Sequence, residues 1–153
     1  MNDRSDDTDK GTAAPVPDHG YVIDEQVGYL LRKAYQRNAV IFSEHIGDLT
    51  PTQLAMLARL TELRSVSQNR LGRKVGLDVA TTKGVVDRLT ARGLLQLDRD
   101  PSDRRRQLVS LTEEGWRVFR HAAPLGLKVS EETLAPLTQA EQRTLHRLLK
   151  KLQ

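Results

Sequence analysis

Arg99-Asp-Pro-Ser-Asp-Arg-Arg-Arg-Gln-Leu-Val-Ser-Leu-Thr112 holds a tight polar turn, three consecutive arginines and an alternating stretch that runs into a helix start at Thr112. Leu94-Leu95-Gln96-Leu97-Asp98, just before it, reads as a matching strand. The spacing predicts a β-hairpin with strands at 94–98 and 107–111 around a Pro/Ser/Asp turn. A hairpin with Arg104, Arg105 and Arg106 at its tip suits a negatively charged groove. The plainer reading is a solvated loop with a chance arginine run. What lies upstream decides between them.

The chain has 153 residues, enough for one domain with an added association element. Its net charge is +4, yet the first nine residues carry four Asp against one Arg, so the rest is more basic than the total. That balance favours a phosphate-bearing partner without requiring one. Cysteine is absent, which excludes disulfides, thiolate-bound zinc and thiol redox sensing. No apolar run approaches membrane-spanning length and no signal peptide is recognisable, so a cytoplasmic protein is expected. Scarce aromatics and abundant long helix-forming residues after Asp24 predict a mainly α fold.

Residues 1–20 are polar and acidic without periodicity and read as a disordered tail; a single domain is expected over 21–153. Val27, Leu31, Ala34, Asn38, Ile41 and His45 fall at helical spacing, with Leu30 and Phe42 widening the stripe, so a long amphipathic helix is predicted over 23–46. Thr50-Pro51 opens a second helix with Leu54, Leu57, Ala58 and Thr61 on its buried side. Ser67 can cap a short helix over 68–75, Gly76-Leu77 makes a turn, and Asp78 caps a helix running to Ala91. Arg92-Gly93 stops that helix and the hairpin follows. Thr112 then caps a helix that Pro124 is expected to kink or break, with its continuation ending near Pro136. Thr138-Gln-Ala-Glu141 is a capping box opening a last helix that carries Leu145, Leu148, Leu149 and Leu152. Residues 50–112 thus form a winged helix-turn-helix, with helices at 21–46 and 112–153 flanking it.

The helix over 78–91 is the candidate recognition helix. Val79, Thr82, Val86 and Leu89, with Val85 beside them, form its inward face; Ala80, Thr81, Lys83, Asp87 and Arg88 point outward. Methyls, hydroxyls and one lysine suit a major groove, although an ordinary solvated face has the same composition. The short Gly-turned helix pair favours the groove-reading assignment. Ser67 and Gln68 would hold a phosphate at the start of the preceding helix. Arg70, Arg73 and Lys74 either add phosphate contacts or only solubilise that helix. The predicted DNA-contacting set is Ser67, Gln68, Ala80, Thr81, Lys83, Arg88, Arg104, Arg105 and Arg106, with the hydroxyl of Thr82 and the wing residue Asp103 included. A carboxylate facing phosphates is repelled, so Asp103 is expected to accept hydrogen bonds from a neighbouring arginine and fix the tip. Arg105 is the first candidate for minor-groove insertion, although alternation along the turn does not settle which arginine faces which way.

Leu49-Thr-Pro-Thr-Gln-Leu54, the helix Asp78-Val-Ala-Thr-Thr-Lys-Gly-Val-Val-Asp-Arg-Leu89, the stop Ala91-Arg-Gly-Leu-Leu95 and the wing Asp100-Pro-Ser-Asp-Arg-Arg-Arg through Leu-Thr-Glu-Glu-Gly115 together resemble the MarR family of bacterial transcription regulators. The resemblance spans 21–153 in element order. It implies an obligate homodimer with each recognition helix in a major groove and each wing in the adjacent minor groove. It also implies that Asp103 buttresses the wing and Arg105 inserts. Gly84 departs from the pattern: the family usually carries a polar, base-contacting side chain there, so Gly84 is left outside the predicted DNA-contacting set. A mid-helix Gly costs about 1 kcal/mol relative to Ala, which points to close packing or close DNA approach.

The apolar stripes of the first and last helices exceed what a small winged domain can cover. Burial of Val27, Leu30, Leu145, Leu149 and Leu152 against a second copy is the simplest outcome. Such a dimer reads a palindrome with half-sites roughly 34 Å apart. The resemblance further implies repression relieved by a small aromatic or anionic effector, held between the association helices and the winged domain. Candidate effector-binding residues are Arg32, Arg37, Asn38 and His45 on the first helix and Trp116 and Phe119 on the fifth. A satisfied core histidine and a plain core tryptophan are the structural alternatives. The segment Asp24-Glu-Gln-Val-Gly-Tyr-Leu-Leu-Arg-Lys-Ala-Tyr-Gln-Arg37 is similar to the branch that answers aromatic acids or their coenzyme A thioesters, such as hydroxycinnamoyl-CoA. The effector acts by favouring a dimer shape that no longer fits the operator.

An enzyme is not expected. The sequence has no Gly-x-Ser-x-Gly elbow, no phosphate-cradling glycine loop and no Cys nucleophile. Asp98, Asp100 and Asp103 lie among arginines, where ion pairing explains them. His19, His45, His121 and His146 lack metal-ligand spacing, and no cofactor or metal is expected. The stronger rival is a winged-helix protein-interaction module whose arginine hairpin docks on an acidic partner.

Overall fold

A computed structural model describes residues 20–103 and 105–153. The predicted tail up to residue 19 and Arg104 at the wing tip lie outside the described residues. Six helices and three strands follow in the order α1 (Val27–His45), α2 (Pro51–Leu63), β1 (Ser65–Ser67), α3 (Gln68–Val75), α4 (Val79–Ala91), β2 (Leu95–Arg99), β3 (Gln107–Leu111), α5 (Glu113–Leu134) and α6 (Gln139–Leu149).

Local chemistry sets most of the boundaries. At α2, Thr50 Oγ1 accepts from Gln53 N at 3.2 Å while Gln53 Oε1 accepts from Thr50 N at 2.9 Å, and Pro51 occupies the first turn. The same reciprocal box joins Thr138 and Glu141 at α6. These pairs satisfy backbone donors that a helix start leaves open. Gly76 sits at φ +71, a conformation that glycine adopts without Cβ strain, and turns α3 into α4.

β3 is the central strand of an antiparallel sheet in the order β1-β3-β2. Leu97 pairs with Val109 on one side and Val66 with Val109 on the other. β1 adds a strand to the predicted hairpin. Ser65–Ser67 carries no turn signal of its own and becomes a strand only through pairing with residues 108–110.

The core lies under the winged unit. Met56, Leu57, Leu60, Leu71, Val86, Leu89 and Val109 are fully buried, and Ile41, Phe42, Ala122 and Val129 extend the cluster along α1 and α5. Two glycines sit at close approaches. A Cβ on Gly72 would collide with Thr82 Oγ1 where α3 crosses α4, and one on Gly115 would collide with the Leu94 carbonyl.

Three expectations need correction. α1 begins at Val27, not residue 23: Ile23–Glu25 is a single 3-10 turn, closed by the Gln26 side chain donating to the Val22 carbonyl at 2.8 Å. α5 runs unbroken through Pro124, because packing on α1 and α2 holds the helix despite the missing N–H. Val79, expected inside, is 67% exposed because it opens the first turn of α4, beyond the core. No helix among the described residues is long and apolar enough to cross a membrane.

Candidate nucleic-acid interface and effector cleft

The α3 start and the wing share one groove. Ser67 caps α3 in extended geometry but makes no side-chain cap bond, so the first-turn N–H groups lack that intrachain acceptor. Ser67 and Gln68 line a polar groove of about 570 Å³ with Asn69, Arg73, Arg99, Arg105, Arg106 and Gln107. Four of these residues are arginines and none is acidic, so the groove attracts anions. Arg99 and Gln107, the pair that closes the ladder next to the wing turn, were missed from sequence because the predicted contacts were confined to the arginines at the tip.

Backbone hydrogen bonds shape the wing. Asp100 N donates to the Arg106 carbonyl at 3.0 Å, and Arg106 N donates to the Asp103 carbonyl at 2.8 Å. Asp100 Oδ1 accepts from the N–H and hydroxyl of Ser102, which together hold its carboxyl below the ordinary value of 3.8. Asp103 Oδ1 accepts from Arg105 N at 3.0 Å and lies 3.8 Å from Arg105 Nε. The Arg105 side chain is 96% exposed and stands clear of the tip.

On α4, Asp78 Oδ1 accepts from Thr81 N at 2.8 Å, and the Thr81 hydroxyl donates to Oδ2 at 2.6 Å. These two bonds lower the Asp78 pKa, the hydroxyl bond contributing most. Ala80, Thr81, Lys83 and Arg88 are exposed on the outer side, and Lys83 is salt-bridged to Asp87 one turn on. Thr82 must leave the DNA-contacting set. It is 1% exposed, packs on Gly72 and donates its hydroxyl to the Asp78 carbonyl at 2.7 Å. Helical periodicity puts position 82 under the helix, where no base edge can reach it.

The candidate effector residues do not converge on one site. Arg37 Nη2 donates to the Glu132 carbonyl at 3.0 Å, Asn38 Nδ2 to Thr133 Oγ1 at 3.0 Å, and His45 Nε2 is hydrogen-bonded to Glu132 Oε1 at 2.7 Å. These three stitch α1 to the C-terminal turns of α5. Arg32 is exposed, its guanidinium 5.2 Å from the Tyr29 ring centre. Trp116 lies towards the other end of α5 beneath Arg64, whose guanidinium sits 4.9 Å from the ring centre. Phe119 packs on the core.

A separate cleft of about 350 Å³ opens between the end of α1, the end of α4 and α5. Its polar walls are His45, Asp48, Arg92, Arg117 and His121, and its floor includes Leu49, Val118 and Leu125. Of the six residues expected to bind an effector, His45 alone lines it. Arg117 is ion-paired to Glu114, whose hydrogen bond and charge raise the guanidinium pKa. Arg117 and His121 share a face at i,i+4 spacing, a signal readable in sequence. Arg92 enters only through the turn after α4.

Helix pair, three-stranded sheet and basic wing define a winged helix-turn-helix DNA-binding protein. Residues 49–106 match the MarR family. The HTH-type transcriptional repressor NicR of Pseudomonas putida is 39% identical over 92% of this chain and 90% of its own. A probable transcriptional regulator from Pseudomonas aeruginosa superposes with a TM-score of 0.84 at 46% identity, covering 86% of this chain and all of the other. Bordetella bronchiseptica BpsR, whose DNA binding is regulated by 6-hydroxynicotinic acid, superposes with a TM-score of 0.83 at 37% identity, covering 86% of this chain and 96% of its own. The chain belongs to the MarR family. It is a transcriptional regulator, not an enzyme.

Proposed function

We propose that this chain is a homodimeric repressor that reads a two-fold operator with α4 and the wing and leaves it when a small aromatic carboxylate binds. The observation that carries the DNA assignment is the arginine groove shared by the α3 start and the wing, with the Arg105 side chain projecting beyond it. In this reading Ser67 and Gln68 hold a phosphate, Ala80, Thr81 and Val79 face bases and Arg105 enters the minor groove. Arg104 and Arg106 support the wing, and Asp103 fixes its tip. A regulator reading chromosomal DNA works in the cytoplasm.

Unpartnered apolar surface supports the dimer. Val27 is 66% exposed, Leu127 69% and Leu152 70%, on α1, α5 and the turn after α6, and α6 packs little on its own chain. A second copy covering these faces buries them in the manner of helical dimers.

The cleft supports an acidic effector. Arg92 and Arg117 line the cleft with His45, His121 and Asp48 over a partly apolar floor, so a ring with one carboxylate finds both charge and contact there. A volume of about 350 Å³ stands at the small end of ligand pockets, which favours a single-ring acid over a coenzyme A thioester. BpsR, regulated by a hydroxylated pyridine carboxylic acid, supports the same class. The test is fluorescence anisotropy with DNA from upstream of the protein's own gene, titrated with benzoic, hydroxybenzoic and hydroxynicotinic acids and hydroxycinnamoyl-CoA. Binding that a single-ring acid releases is expected. Failure to bind that DNA overturns the repressor, and binding that no acid releases overturns the effector.

A further inference from the structure

Gly84 leaves the middle of the outward face of α4 without a side chain, between Ala80 one turn before and Arg88 one turn after. A Cβ built there would lie 3.6 Å from Arg88 Nη1 and 4.0 Å from Nη2, with no other neighbour within 4 Å. The guanidinium of Arg88 therefore rests over bare helix backbone at position 84. Helical side chains lean toward the N-terminus, and a four-residue step moves this group about 6 Å nearer the start of the helix. That is the end of a recognition helix that meets base edges.

The remaining charges on this face are otherwise engaged. Lys83 is salt-bridged to Asp87 one turn on, which draws its ammonium toward the C-terminal side of the helix. Asp78 and the Thr81 hydroxyl are committed to the cap. The Arg88 guanidinium is exposed, and among the described residues it has no hydrogen-bond or ion-pair partner. Its planar fork presents paired donors matched to the O6 and N7 acceptors of guanine, which a lysine point charge does not reproduce.

We infer that Arg88, seated on Gly84, is the guanine-reading residue of α4 and sets operator specificity at one G·C pair in each half-site. Gly84 does not lack a function on this account: its missing side chain is the space through which Arg88 reaches the groove. The inference rests on the operator-reading function proposed above.

Selection of bound duplexes from a random-sequence DNA library tests it, run in parallel on wild type, Arg88→Ala, Gly84→Leu and Gly84→Ala, each checked by circular dichroism. Wild type is expected to enrich a two-fold motif with one symmetric guanine favoured about tenfold or more. Arg88→Ala loses the preference at that position and keeps the rest of the motif. Gly84→Leu gives the same loss with Arg88 still present, since the added side chain displaces the guanidinium. Gly84→Ala keeps the guanine, because 3.6 Å is ordinary van der Waals separation. An unchanged motif in Arg88→Ala, or uniform weakening across all sequences, overturns the specificity role and leaves operator reading intact. A wild type that enriches no motif overturns operator reading itself, and this inference with it.

Discussion

Arg92 Nη1 donates to the Asp48 carbonyl, 44 residues earlier in the chain, at 2.8 Å. The bond ties the end of α4 to the junction of α1 and α2, and both residues line the cleft. A carboxylate entering that cleft competes with a neutral carbonyl for the same guanidinium, and charge-assisted hydrogen bonds are the stronger. Binding there would free the end of the recognition helix from the association helices, a local event with a route to operator spacing.

Arg92→Ala tests this coupling by removing the tether outright. Loss of one exposed hydrogen bond should lower stability by about 1 kcal/mol. Operator affinity without ligand should fall toward that of the ligand-bound wild type, because the tether that ligand breaks is already gone, and an active aromatic acid should release the variant little further. Anisotropy titrations measure both, and an unchanged ligand response would remove Arg92 from the coupling.

The α3–α4 crossing leaves no room at Gly72. Gly72→Ala forces a methyl against Thr82 Oγ1 and should cost about 1–3 kcal/mol as the two helices part. Thr82→Val removes the hydroxyl bond to the Asp78 carbonyl and should cost about 0.5–1.5 kcal/mol, whereas Thr82→Ser keeps the bond and should lose about 1 kcal/mol with the buried methyl. Urea unfolding followed by circular dichroism measures these differences.

Acid stability follows from the caps. The Thr81 bonds lower the Asp78 pKa from 3.8, and the Thr138 bonds lower that of Glu141 from 4.5. A carboxyl depressed in the folded state binds its proton more readily when unfolded. Its contribution is therefore fully present above the unfolded value and disappears as pH falls through the folded one. Stability should hold between about pH 5 and 7 on this count and decline below about pH 4. Asp78→Asn should flatten that decline in pH-dependent urea melts; an identical acid slope would remove Asp78 from the balance.

A charge on the apolar face should prevent assembly. Leu148 is 45% exposed in the single chain, and Leu148→Asp places an unpaired carboxylate where the proposed dimer buries it. Sedimentation velocity should show a monomer, with operator affinity at least about tenfold weaker because only one half-site is engaged. A dimer of unchanged strength would place the interface elsewhere.

Much of the winged unit was legible because its signals are local. Thr50, Asp78, Thr112 and Thr138 each mark a helix start within three residues of the group they bond. The Pro-Ser-Asp turn marks the wing in the same way. β1 was not legible, since Ser65–Ser67 is defined by pairing with residues more than forty positions later. The cleft was hidden for the same reason: His45, Arg92 and His121 converge only through packing. Trp116, a candidate on sequence grounds, lies under Arg64 and apart from the cleft that His45 lines.

The most direct test of DNA reading by the wing is the salt dependence of operator binding for wild type and Arg105→Ala, with both confirmed as dimers by sedimentation. The logarithm of affinity should fall linearly with the logarithm of salt concentration for wild type. Arg105→Ala should bind more weakly at every salt concentration, with a slope shallower by about 1 for each phosphate that the arginine no longer neutralises. Equal affinity and equal slope in the two proteins would contradict the assignment of the wing to the DNA groove.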